Sequence, residues 1–187
     1  DLVGNNENVD EVLFDNSILG KLAKIFDSAR VVNGIKGSVA ALGVLIDSKG
    51  YQEVLKGKSV GAKRLLGWYN SSEKEFNRLV KDFEKRKTEF KNFIFFEVKS
   101  KNNMKSSLAT YLGSTMKNNV LIICQKSGVY MDVSFRRGKE SSVDLNELAR
   151  NSLANIPDSN GGGHPVAAGA RFPAKYLNVF LRNLKIK

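Results

Sequence analysis

Cysteine and histidine are almost missing: the 187 residues contain one of each, Cys124 and His164. A single cysteine cannot close an internal disulfide. Its place in the apolar run "NVLIICQ" reads as a buried thiol in a reducing compartment, and the one histidine that could activate it lies in a glycine run elsewhere. A single histidine excludes a metal centre built from several imidazoles. The carboxylates of "EKEF" and "VDLNEL" read as helix surface and caps rather than as ligands for magnesium or calcium. No apolar run approaches the roughly 20 residues that cross a bilayer. The start, "DLVGNNENVDEVLF", lacks the basic residues and apolar stretch of a secretory leader, so a cytoplasmic location is expected. It also lacks an initiator methionine, which fits a piece of a longer protein. There are no internal repeats and no low-complexity tracts.

What is present is ordinary for a globular protein, with 42% hydrophobic and 26% charged residues, and the length suits one large domain or two small ones. The balance of charge is not ordinary. Thirty Lys and Arg against nineteen Asp and Glu leave +11, which points to a polyanionic partner, most often nucleic acid. A generally basic surface that aids solubility is the alternative.

The hydrophobic pattern divides the chain. Residues 1–70 read as helical. In "VDEVLFDNSILGKLAKIFDSARVV", Val9, Val12, Leu13, Leu19, Leu22, Ile25 and Phe26 recur at helical spacing, and "SVAALGVLIDS", "YQEVLKG" and "VGAKRLLGWYN" read as further short helices. Residues 71–91 read as a connector helix. Ser72 and Glu75 form a capping box, Phe76, Leu79, Val80, Phe83 and Phe90 share one face, and Glu73 to Lys91 would span roughly 28 Å. It either packs on a domain or joins two domains with a basic face outward.

From residue 92 the period changes. "NFIFFEVK" and "NVLIICQ" read as strands, the second buried on both faces. "GVYMDVSFR" alternates, with Val129, Met131, Val133 and Phe135 on one side and Tyr130, Asp132, Ser134 and Arg136 on the other. Ser127-Gly128 marks the turn before it. "SSLATYLGSTM", with Ser106 as cap, and "SSVDLNELARNSLA" read as helices. A short helix "PVAAG", a short strand "ARF" and a terminal helix "AKYLNVFLRNLK" complete the order. The expected fold is therefore α/β: an N-terminal helical segment and a connector helix, then a compact α/β domain over 92–187 with a small mixed sheet.

The chemistry concentrates in "SNGGGHPVAAG". Gly161, Gly162 and Gly163 lack a Cβ and can bring backbone N–H groups close to a ligand. With Pro165 at the first position of the expected helix and Gly169 as its cap, His164 would stand at a helix N-terminus, where dipole and free donors favour an anion. Ser134 and Arg136, two apart on one strand, offer a hydroxyl and a guanidinium on one face, and arginine can grip phosphate with two parallel hydrogen bonds. If strand and loop meet, they form a phosphate pocket. Otherwise the glycines are a tight turn and Arg136 a solvated edge residue. The aromatics Trp68, Tyr69, Phe93, Phe95 and Phe96 sit among apolar residues and read as core rather than base-stacking groups.

"GGGHPVAAGARFP" resembles the closing signature of the DHH-associated C-terminal domain of the DHH phosphoesterase superfamily. "VSFRR" resembles that domain's Ser-x-Arg strand, and "MKSSLATYLGS" resembles a helix start found in the RecJ-like proteins of archaea. The resemblance covers roughly residues 92–187. Upstream, "ARVVNGIKGSVAALGVLI" is faintly similar to an Asn-Ala-x-Gly-Arg segment near the end of the RecJ-like catalytic domain: Asn33 fits, but Gly37 stands where the arginine is expected. The resemblance implies that Arg136 and His164 grip phosphate, that Gly161, Gly162 and Gly163 give backbone donors, and that Ser134 orders the strand or touches the ligand. Lys105 and Arg137 are lesser candidates for the same anion. It also implies a separate Asp-His-His catalytic domain carrying manganese or magnesium. No such motif occurs in this chain, which is therefore expected to hold no cofactor and to be inactive alone.

Three functions are compatible with the resemblance. The first is the strand-holding part of a metal-dependent single-strand exonuclease or oligonucleotide phosphodiesterase. The second is a non-catalytic replication module docking GINS or other replisome proteins. The third is another owner of the same domain, such as a cyclic-dinucleotide phosphodiesterase or an alanyl-tRNA synthetase, although the synthetase version usually lacks histidine after its glycines.

Overall fold

A computed structural model describes residues 17–185. The part of the first expected helix that involves Val9, Val12 and Leu13 lies outside them. The chain forms two compact units that divide between Glu75 and Phe76.

The first unit is helical. Helix α1 (Ile18–Asp47) opens on Ser17, whose hydroxyl accepts from the Gly20 N–H at 3.0 Å. At Gly34 the backbone turns to φ 58°, ψ −139°, a conformation that favours glycine, so the two helical stretches expected on either side of "NGIKG" are joined at a kink. Ile25, Ala29 and Ala41 of α1 pack with Val54 of α2 (Tyr51–Leu55) and Leu65 of α3 (Val60–Arg86) in one core. By length and composition α1 is apolar enough to cross a bilayer. This corrects the expectation of no such stretch: Asn33, Lys36 and Ser38 break the sequence into shorter runs, but the helix as a whole is apolar. Within it Ile25 and Ala29 are fully buried, whereas Ile35, Val39, Leu42, Leu45 and Ile46 are exposed.

Helix α3 corrects the expected connector. It is one continuous helix of 27 residues, so Ser72 lies inside it and caps nothing. The cap is Ser59, whose hydroxyl accepts from Ala62 N–H at 3.1 Å. No proline or left-handed residue interrupts the span, and hydrogen-bonded propagation costs less than a second nucleation. The helix ends at Arg86, and Phe90, expected on its face, belongs instead to strand β1 (Thr88–Phe90). Lys91, at φ 52°, turns the chain so that β1 runs antiparallel to β2 (Phe93–Val98).

The second unit is built on a six-stranded mixed sheet in the order β1-β2-β3-β4-β6-β5. Helix α4 (Lys105–Ser114) is the crossover between the parallel pair β2 and β3 (Val120–Ser127). Its expected cap is corrected: the helix starts at Lys105, before Ser106, and the N–H groups of Met104 and Lys105 donate to Gln125 Oε1, each at 3.1 Å. Strand β4 (Tyr130–Arg137) returns antiparallel to β3, with Gly128 at φ 60° in the turn. Helix α5 (Leu145–Ser152) begins at Asp144, which accepts from Asn146 and Glu147 N–H.

The largest departure follows. "PVAAG" is not a helix. Asn160–His164 forms β5 and Ala167–Pro173 forms β6, an antiparallel hairpin turning at Pro165-Val166, with β6 paired along β4. Burial along β6 alternates, with Ala168, Ala170 and Phe172 inward. The open edge of β4 offers this segment seven backbone partners, which outweighs the weak intrinsic preference of alanine and glycine. A 3₁₀ turn (Ala174–Tyr176) and helix α6 (Leu177–Asn183) complete the chain as expected.

One face of the sheet is closed. Ile122, Cys124, Val133 and Phe135 pack with Leu145 and Ala149 of α5 and with Phe180 of α6. Phe172 stacks on Phe180 with ring centroids 4.6 Å apart. Burial pushes the Cys124 thiol well above its ordinary range, so it is inert. On the opposite face α4 packs against β3 and β4.

Candidate phosphate-binding site

The register of β4, β6 and β5 builds the site. Ser134 lies opposite Gly169, and Gly169 opposite Gly162. Two residues along, Arg136 lies opposite Ala167, and Ala167 opposite His164. Residues directly opposite in a sheet share a face, so Ser134, Arg136 and His164 project from the face that α4 packs on. At a strand spacing of about 4.8 Å, Arg136 and His164 have Cα atoms roughly 10 Å apart with only Ala167 between them. The middle row, Ser134-Gly169-Gly162, carries one short side chain, that of the buried Ser134. The result is a shallow trough with a guanidinium on one flank and an imidazole on the other.

Arg136 is held in place from below. A Cβ on Gly113 would come within 2.8 Å of the Arg136 Cβ, so glycine at that point of α4 makes room for the arginine stem. The guanidinium donates to the Phe135 carbonyl at 2.8 Å and to Thr110 Oγ1 at 3.4 Å. No carboxylate among the described residues pairs with it, and burial alone lowers its pKa. A half-buried cation with only neutral acceptors is short of the charge that would offset its desolvation, and an anion would supply it. His164 is exposed.

Several sequence expectations are redistributed. His164 lies on an edge strand beside a turn and does not itself start a helix. The glycines are extended strand residues. Gly162 and Gly163 take φ 153° and 154°, and Gly163 is required sterically, because a Cβ would meet the Ala167 carbonyl at 2.6 Å. Nor is the Gly163 N–H a free donor: it bonds Asn146 Oδ1 at 3.1 Å, while Leu145 N–H bonds the Pro165 carbonyl at 3.1 Å. These two bonds pin the hairpin turn to the start of α5. Gly161 packs toward Leu153.

Arg137 points to the other side of β4 and donates to the Val143 carbonyl at 2.9 Å, outside the trough. Lys105 starts α4, about 12 Å along that helix from Gly113, with its ammonium 3.4 Å from Ser106 Oγ. Sequence reasoning missed Asn146, Thr110 and Gly113, which position the site without belonging to its motif. The glycine of "YLGS" was the available signal for the last. Among the described residues, no three His, Cys, Asp or Glu side chains group closely enough to share a metal ion.

No curated protein matches the chain. Among solved structures it resembles RecJ from Thermus thermophilus in complex with Mg2+, at 13% identity over 89% of this chain and 24% of that one, TM-score 0.66. It resembles exonuclease RecJ bound to manganese, at 15% identity over 97% and 41%, TM-score 0.64. It also resembles the pGpG-specific phosphodiesterase PggH from Vibrio cholerae, at 12% identity over 96% and 62%, TM-score 0.58. In each case this chain spans less than two thirds of the other protein. At these identities the likeness is one of fold. The family model of the DHHA1 domain matches residues 91–185, which contain the whole trough, and the chain belongs to that family.

Proposed function

We propose that this chain grips the phosphates of a single-stranded nucleic acid or short oligonucleotide, as the strand-holding part of a RecJ-like, metal-dependent phosphodiesterase. The observation that carries the reading is Arg136: a half-buried guanidinium, without a carboxylate, on the same sheet face as His164 and separated from it in register by Ala167 alone. Arginine and imidazole N–H groups donate to phosphate oxygens, and the bare row of Gly169 and Gly162 lets a backbone lie close. The net charge of +11 draws the same ligand from a distance.

Manganese or magnesium would activate the attacking water in such an enzyme. The residues described here do not fit that metal, because they contain no ligand cluster. Hydrolysis is accordingly assigned to another part of a longer parent, in keeping with the partial spans of the RecJ chains. A linear dinucleotide is the second reading of the ligand, favoured by the fold shared with PggH over 96% of this chain.

The test is binding of a labelled oligothymidylate by anisotropy at low salt. Arg136→Ala is expected to weaken it about ten- to hundredfold, and His164→Ala about two- to tenfold. Affinity should fall steeply as salt rises. Unchanged affinity in both variants overturns the assignment.

A further inference from the structure

Further along the same face, β4 and β6 carry a second group that the phosphate site does not use. Tyr130 opens β4, and Asp132 lies directly opposite Arg171. Arg171 Nη1 donates to Asp132 Oδ1 at 3.1 Å, and its guanidinium carbon sits 4.6 Å from the centroid of the Tyr130 ring. The acid is the more sheltered partner: its side chain is 23% exposed, against 52% for the arginine. The carboxylate and the ring therefore act as a seat, and the guanidinium is what a ligand would meet.

We propose that Arg171, seated by Asp132 over Tyr130, is a stacking platform for a nucleobase of the strand whose phosphate is held at Arg136 and His164. This rests on the phosphate-site reading above. Period-two alternation places Tyr130, Asp132, Ser134 and Arg136 on one face. The rows of Asp132 and Arg136 are four residues apart, roughly 13 Å, with the side-chain-poor row of Ser134, Gly169 and Gly162 between them. A strand gripped at Arg136 and continuing along the trough passes over Gly169 and reaches Arg171.

The chemistry favours a base over a second phosphate. Asp132 already balances the charge of Arg171, so the pair has little net attraction for an anion. What remains is the flat, delocalised guanidinium, which stacks on aromatic faces and is weakly hydrated. Every base has such a face, so the platform is indifferent to sequence.

The experiment compares two probes of equal length and phosphate count, an oligothymidylate of about eight nucleotides and the matching abasic strand. The wild-type chain is expected to prefer the thymidylate. Arg171→Lys keeps the charge and removes the planar fork, and Tyr130→Leu removes the ring and keeps an apolar strand residue. Each should lower thymidylate affinity about five- to hundredfold and abasic affinity by less than about twofold. Wild-type discrimination retained by both variants overturns the platform and leaves Arg171 as a cross-strand tie. Arg136→Ala separates the two readings. Loss of affinity for both probes supports the phosphate site whatever Arg171 does, whereas no loss for either removes the site on which the platform depends.

Discussion

The two faces of the sheet share one set of strands but do different work. On the closed face, Val133, Phe135, Phe172 and Phe180 are at most 2% exposed. On the other face the intervening residues of the same strands include Asp132, Arg136, Arg171 and, on β5, Asn160 and His164, all partly or fully exposed. Each buried strand residue is thus the chain neighbour of one on the other face. Stability and binding should be separable by substituting adjacent positions, and the predictions test that separation.

The largest effect belongs to the closed face. Phe172→Ala removes the ring stacked on Phe180 and should cost about 3–5 kcal/mol in urea unfolding, while the molecules that remain folded bind oligonucleotide as before. Arg136→Ala is the mirror case. It removes a desolvated cation without an acidic partner, so the affinity it loses should come with an unchanged or raised Tm. A fall in Tm comparable to that of Phe172→Ala would erase the distinction between the faces.

Gly163→Ala falls between the two, since the glycine serves both backbone and trough. Its positive φ and the contact with the Ala167 carbonyl should cost about 1–3 kcal/mol, and the displaced hairpin should weaken binding as well. Asp144→Ala, at the start of α5, should cost about 1 kcal/mol. The smallest effect lies in α3, away from the trough. Arg86 donates to Asp82 at 2.7 Å and holds its carboxyl below the ordinary range. A lowered acid contributes stability that is full above the unfolded value and is lost as pH falls through the folded one. Asp82→Asn should therefore cost under about 0.5 kcal/mol near neutrality and nothing in acid, as read by thermal melts across pH.

Much of this was legible where a periodic pattern met a strong partner requirement. The alternation of "VYMDVSFR" assigned each of its residues to a face, because a strand that buries one side must repeat every second residue. The apolar run "NVLIICQ" marked a central strand for the same reason. The hairpin at residues 160–173 was not legible. Alanine and glycine have little side chain with which to signal a period, and "HPVAAG" fits a proline-started helix as well as a strand. The local capping pattern at Ser72 reads as a helix start, and only the uninterrupted helix Val60–Arg86 through it shows otherwise.

The sequence by itself determined the helical first part and the α/β second part, the basic charge and the composition of both strand faces, since these follow from local period and chemistry, and it singled out Ser134, Arg136 and His164 as candidates. The tertiary structure decided how the three are arranged. Cross-strand register brings residues 134, 169 and 162 into one row and 136, 167 and 164 into the next. It makes the glycines an edge strand instead of a helix mouth, commits the Gly163 N–H to Asn146 and turns Arg137 away to Val143. Register is a property of paired strands, set by which edges are available and what packs on them, and no single segment carries it.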